Sequence, residues 1–106
     1  MAATNLYQPA KIPAEEESFE TLLQCGNVSI EKIQSPPSTR TETCDQAQDE
    51  WIALLQGQAS LQVEDRIVTL QSGDTLFIPA RTPHRVLETS TDPICIWLAV
   101  HIHPSS

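Results

Sequence analysis

Gly73-Asp-Thr-Leu-Phe-Ile-Pro-Ala-Arg-Thr-Pro-His84 is the stretch that decides the fold. Gly73-Asp74 is a turn, and it opens a short apolar strand, Thr75 to Ile78. Pro79 ends that strand, because proline has no N–H to give to a sheet ladder. Beyond it, His84 enters the next strand. A second stretch upstream, Glu50-Trp-Ile-Ala-Leu-Leu-Gln-Gly57, has an acid leading an apolar strand into a glycine turn. Fifteen residues separate Gly57 from Gly73, enough for one short hairpin.

Outward from this pair the pattern is alternation. Ala59, Leu61 and Val63 alternate with Ser60, Gln62 and Glu64, which predicts a half-buried strand. Glu64-Asp65 turns into Ile67–Leu70, and Ser72-Gly73-Asp74 turns into Thr75–Ile78. His84–Thr89 and Ile94–His103 are further strands, parted by the turn Ser90-Thr91-Asp92-Pro93. Trp51–Leu55 is apolar on both faces and predicts a strand covered on both sides. Val28, Ile30 and Ile33 alternate imperfectly with Ser29, Glu31 and Gln34, and Ser35-Pro36-Pro37-Ser38 ends that strand. Thr39–Asp49 is polar and reads as a strand or a wide loop. Strands recurring every 8–12 residues with turns between them predict an all-β sandwich or barrel. Met1–Lys11 reads as an extended arm. Two readings stay open for Pro13–Gly26. Proline followed by acids is a helix start, with Phe19, Leu22 and Leu23 at helical spacing, but a short apolar run also suits a strand. The division is therefore an arm with a helix or strand over residues 1–26 and a barrel over 27–103.

Bulk composition bounds the partners. The chain has 106 residues, one domain's worth. Acids outnumber bases 14 to 6, a formal charge of −8. That argues against nucleic acid and anionic membranes, both of which need a cationic face. Cys25, Cys44 and Cys95 are odd in number and lack zinc or disulfide spacing. With no signal-peptide pattern at the N-terminus, a reducing cytoplasm is the expected home. The longest apolar run, Ile94 to Val100, is too short to span a bilayer as a helix.

The two stretches resemble the two motifs of the cupin superfamily, G-x5-H-x-H-x3-4-E-x6-G and G-x5-P-x-G-x2-H-x3-N. The match runs from about Val28 to Ile102. EWIALLQGQASL, PARTPHRV and WLAVH are similar to a group of small single-domain, RmlC-like cupins characterised by fold rather than by reaction. The resemblance implies an antiparallel double-sheet jelly-roll barrel around an internal pocket. It also implies a metal held by two histidines and a glutamate of the first motif and one histidine of the second. Glu50 falls on that glutamate and His84 on the second-motif histidine. The histidine pair falls on Thr43 and Asp45 with a four-residue spacer, or on Cys44 and Gln46 with a three-residue spacer. Neither register supplies a histidine. Arg81 replaces the second motif's glycine and Glu88 its asparagine.

The surviving residues keep a chemical logic. Glu50 leads an apolar strand, where a carboxylate needs a partner. His84 and, near the end of the last strand, His101 add two imidazoles. These three, with Asp45 or Cys44 as a fourth ligand, would suit Fe, Mn, Ni or Zn. Both faces of the last strand are apolar, so its pattern leaves open whether His101 points inward. A carboxylate–histidine cluster equally makes a structural hydrogen-bonded pair without metal. Arg81 and Arg85 flank His84 and would suit a substrate carboxylate or phosphate, though exposed arginines commonly form surface ion pairs. His103 lies at the chain end and is expected to face solvent. Trp51 and Trp97 are expected in the core or at a subunit interface.

Three functions follow. The first is a small-molecule pocket holding one divalent metal through Glu50, His84 and His101. The second is a metal-free acid–base isomerase or epimerase, in which His84 moves a proton and Glu50 or Asp45 orients it. The third is a non-catalytic binding or sensory module. A homodimer is expected, since one small barrel covers only the inner faces of Trp51–Leu55 and Ile94–Val100.

Overall fold

The computed structural model describes residues 3–8 and 16–104. Eight strands follow one another: β1 (Ser18–Cys25), β2 (Val28–Ser35), β3 (Asp49–Gln56), β4 (Gln58–Val63), β5 (Arg66–Gln71), β6 (Thr75–Ile78), β7 (His84–Thr89) and β8 (Cys95–Ile102). They form a five-stranded sheet, β1-β2-β8-β3-β6, and a three-stranded sheet, β5-β4-β7. All pairings are antiparallel. No helix occurs among the described residues. This is the all-β, two-sheet architecture that the alternation predicts, in the jelly-roll form that the resemblance implies.

The two sheets close over one core. Ile52, Leu54, Ile78, Trp97 and Ala99 of the larger sheet meet Ala59, Leu61 and Leu70 of the smaller. Leu54, Cys95 and Ala99 are wholly buried. Trp97 is buried too, and its Nε1–H donates to Ser35 Oγ at 3.0 Å, so its one polar atom is satisfied. Between β3 and β4 the chain reverses at Gly57, whose φ of +95° disfavours any side chain. A Cβ there would also lie 2.8 Å from Ser90 Oγ and 2.9 Å from Cys95 Sγ.

Two expectations change. Phe19–Leu23 lies in a strand, so the helical reading of that segment fails and the strand reading holds. The β1–β2 register slips between Thr21 and Leu23. The extra residue breaks the two-residue alternation and mimics helical spacing. Pro13–Glu15 and most of the proposed helix start lie outside the described residues. The second change is at β2. Ser29, Glu31 and Ile33 sit opposite His101, Ala99 and Trp97, so Glu31 faces the interior and Ile30 faces out.

The outer face of the larger sheet is apolar along one line. Leu23 pairs with Ile30, Ile30 with Val100, Val100 with Trp51, and Trp51 with Phe77. That row crosses all five strands. Phe77 is 52% exposed, Leu23 52% and Trp51 36%. Trp51 therefore is not a core residue, whereas Trp97 is. The arm lies on the next part of this face. Tyr7 Oη donates to the Leu55 carbonyl at 3.5 Å, and the Lys32 ammonium to the Gln8 carbonyl.

Candidate functional site

A cavity of about 310 Å³ opens at one end of the barrel. Its walls include Ile33, Ile52, Leu61, Ile78, Val86 and Trp97, and its polar end holds Glu31, Gln46, Glu50, His84 and His101. Strand parity puts them there. Glu50, Ile52 and Leu54 share the inner face of β3, and Glu50 sits directly opposite His101 on β8 and Ile78 on β6. His101 shares the inner parity of Trp97 and Ala99, so the last strand's open question is answered: His101 points inward.

His84 arrives from the other sheet. The segment before β3 lies along the edge of β7, where Cys44 N–H donates to the His84 carbonyl at 2.8 Å and His84 N–H to the Cys44 carbonyl at 3.0 Å. This bridge decides the register of the first motif. Cys44 and Gln46 line the cavity, as the three-residue spacer requires. Asp45, a candidate ligand, has the opposite parity, is exposed and does not line the cavity. Its charge still favours a protonated His84.

Glu50 is the centre of the polar end. It is only 8% exposed. Gln46 Nε2–H donates to its Oε1 at 2.8 Å. His84 Nε2 lies 3.5 Å from the same oxygen, and His101 Nε2 lies 3.9 Å from Oε2. His101 Nε2 is nearer to Glu31 Oε1, at 3.4 Å. His84 Nδ1 lies 2.8 Å from the Thr82 carbonyl, which can only accept, so Nδ1 carries a proton. The Nε2 of His84 is thus the atom aimed at Glu50 and the cavity.

The electrostatics of the pair are mutual. Burial pushes the Glu50 carboxyl up, but the His84 hydrogen bond, the His101 charge and the Gln46 amide together hold it below its ordinary value. The hydrogen bond to Glu50 raises the His84 imidazole against its own burial, and the Thr82 carbonyl adds to the rise. Both shifts favour carboxylate beside imidazolium.

Other candidates lie elsewhere. Arg81 and Arg85 are exposed and do not line this cavity, though Arg85 lines another pocket that His84 also borders. Arg81 has a φ of +62°, and its N–H donates to the Gln46 carbonyl at 2.8 Å. Arg85 Nε–H donates to Gln62 Oε1 at 3.1 Å. Cys44 is an exposed free thiol whose Sγ–H points to the Glu42 carbonyl at 3.8 Å. His103 is exposed and stacks on His101 with ring centroids 6.2 Å apart. Glu31 escapes the sequence reading, hidden by its polar parity, and Gln46, reached there only as a motif position, proves to be a neutral amide bonded to Glu50.

A family model described as a cupin domain matches residues 33–101. The chain belongs to the cupin family. Its structure is similar to that of a Ralstonia eutropha protein provisionally described as a mannose-6-phosphate isomerase. That likeness has a TM-score of 0.88 at 29% identity and covers 98% of this chain and 100% of the other. A cupin superfamily protein of Desulfitobacterium hafniense matches with a TM-score of 0.79 at 18% identity, covering 90% of this chain and 84% of that one. An RmlC-like cupin of Shewanella frigidimarina matches with a TM-score of 0.76 at 16% identity, covering 91% and 83%. Among curated proteins none matches.

The metal common in cupins can be tested on the donor set. Cys44 and Gln46 hold the places of the histidine pair. Gln46 turns an N–H, not a lone pair, toward Glu50. The two imidazoles reach different oxygens of Glu50, His84 Nε2 at 3.5 Å and His101 Nε2 at 3.9 Å, and His101 is nearer to Glu31. Among the described residues, no three His, Cys, Asp or Glu side chains form a group that would hold a metal ion. The residues present do not fit the family's four-ligand centre.

Proposed function

We propose that this cupin binds a small organic molecule in its barrel and moves a proton on it by metal-free acid–base chemistry, as an isomerase or epimerase does. The observation that carries this reading is the orientation of His84. Its Nδ1–H is tied to the Thr82 carbonyl, which leaves Nε2 between Glu50 and the cavity. A neutral His84 has its lone pair on Nε2 and can take a proton from a carbon next to a carbonyl. Glu50 then stabilises the imidazolium that forms. Returning that proton to the neighbouring carbon, while the hydroxyl proton of the first carbon passes to the former carbonyl oxygen, completes an isomerisation of an α-hydroxy carbonyl compound. His101, near the other oxygen of the Glu50 carboxylate, would supply the second acid that epimerisation needs. A metal held by Glu50, His84 and His101 draws less support, because the histidine pair is replaced by a thiol and an amide. The description of the Ralstonia eutropha protein as an isomerase agrees in reaction type.

The test is solvent-deuterium incorporation into a panel of small ketones, amino ketones, keto acids and sugars, followed by NMR. The wild-type protein should exchange the proton next to the carbonyl of one member, with a rate that rises with pH as the raised imidazole loses its proton. His84→Gln should reduce exchange by about 10²-fold or more, the usual contribution of one acid–base group. Saturable binding without exchange in any member would favour the non-catalytic binding module instead.

A further inference from the structure

We infer that the barrel takes a small protonated amine on an apolar body and rejects phosphorylated and carboxylate ligands. This rests on the cavity at His84 and Glu50 being the working site. Glu17, Glu31 and Glu50 line that cavity, and no lysine or arginine does. The described cations are all elsewhere. Lys32 is engaged by Gln8 on the outer face, Arg40 by the Leu87 carbonyl and Arg85 by Gln62, while Arg66 and Arg81 are exposed.

A formal charge count gives the sign of the site. Glu50 and a protonated His84 cancel. Glu17 and Glu31 then stand against at most one positive charge on His101. The cavity is negative in either state of that ring. A phosphate or carboxylate entering it would meet carboxylates and find no guanidinium or ammonium to pair with. An ammonium carries three donors and no acceptor, which suits carboxylate oxygens with open lone pairs.

Geometry adds a second requirement. The polar groups sit at one end, and Ile33, Ile52, Leu61, Ile78 and Trp97 line the rest. Their side chains would bury a hydrocarbon or aromatic body, and the Trp97 ring is the kind of surface that attracts a cation. At about 310 Å³ the cavity is at the small end of ligand pockets. Glu31 is the selecting residue. Among the described residues its Oε1 meets the His101 imidazole, at 3.4 Å, and its side chain is 25% exposed, so the carboxylate is open to a newcomer. A sugar phosphate, the substrate type in the description of the Ralstonia eutropha protein, fits none of this.

Calorimetric titration of the full chain at neutral pH with four probes tests the inference: benzylammonium, benzyl alcohol, benzoate and mannose 6-phosphate. Benzylammonium should bind saturably and about tenfold or more tightly than benzyl alcohol, a difference of about 1.4 kcal/mol. Benzoate and mannose 6-phosphate should not saturate. Glu31→Gln should abolish the preference for the ammonium over the alcohol, and Glu31→Asp should keep it, which separates charge from folding. The inference is overturned if either anion binds as well as benzylammonium, if Glu31→Gln leaves the preference intact, or if benzylammonium does not saturate in the millimolar range. These binding readouts are independent of proton transfer. Loss of the isomerase reading through a fully active His84→Gln variant would leave the amine selectivity standing, and loss of the selectivity would leave deuterium exchange untouched.

Discussion

Removing the imidazole of His84 should destabilise the barrel in a pH-dependent way. His84→Ala deletes the hydrogen bond to Thr82 and leaves buried Glu50 with Gln46 and the more distant His101. The Glu50 carboxyl sits below its ordinary value of 4.5, so its contribution is present above that pH and is lost as pH falls through the lowered value. The His84 imidazole sits above its ordinary value of 6.5, so its contribution is complete below 6.5 and is lost as pH rises through the raised value. Both are complete only between about pH 4.5 and 6.5. The ion pair at 3.5 Å and the 2.8 Å bond to Thr82 together contribute about 1.5 kcal/mol, near the usual worth of a single hydrogen bond plus a weak ion pair. A loss of about 1.5 kcal/mol in a domain of this size lowers Tm by roughly 5–10 °C. Urea melts of wild type and His84→Ala at pH 5.5 and pH 9.5 read the difference directly. Lost packing is common to both pH values, so only the pair's contribution changes between them. A deficit that is the same at both pH values refutes the ion-pair reading of the site.

Gly57→Ala should cost about 2 kcal/mol or more, since a left-handed backbone is strained by any side chain and the new methyl would press on Ser90 and Cys95; chemical denaturation at an unchanged fold checks it. The row Leu23–Ile30–Val100–Trp51–Phe77 should bury itself against a second copy. Wild type is expected to sediment as a dimer at micromolar concentration, and Trp51→Glu with Phe77→Glu as a folded monomer; a wild-type monomer across that range refutes it.

Most of the fold was legible because a strand writes its burial with a period of two. Ala59, Leu61 and Val63 mark β4, and the turns at Gly57 and Gly73 bracket a hairpin that a helix could not use. What hid β1 is a slip in its pairing with β2. One extra residue near Leu22 shifts the apolar positions from a spacing of two to a spacing of three or four. The site was legible in part for the same reason. Glu50 and His84 stand at motif positions fixed by glycines and a proline. The direction of His101 was open because β8 is apolar on both faces, one facing the core and the other the exposed row. Glu31 was hidden because polarity assigned it to solvent, when the apolar side chain of its neighbour Ile30 belongs to that row. The choice between Asp45 and Gln46 needed the backbone bridge of Cys44 to His84, which no spacing encodes.

The two missing histidines allow a constructive check on the donor-set argument. Cys44 and Gln46 already line the cavity beside Glu50 and His84, on backbone held by the bridge to β7 and by the Arg81 N–H. Cys44→His with Gln46→His would therefore place two imidazoles on the same side of Glu50 as His84. It would also remove the amide N–H that caps Oε1. Four donors of the type transition metals prefer would then share one end of the barrel. Elemental analysis of untagged protein, purified without chelator, should find wild type with far less than one Fe, Mn, Ni or Zn per chain and the double variant approaching one. The metal should also raise the Tm of the double variant alone, because a ligand bound only by the folded state stabilises it in proportion to the logarithm of its concentration over Kd. A wild-type protein carrying close to one ion per chain would refute the metal-free reading outright. A double variant that stays empty would show instead that the loss of the metal lies in the position of His84 or Glu50 rather than in the two replaced residues.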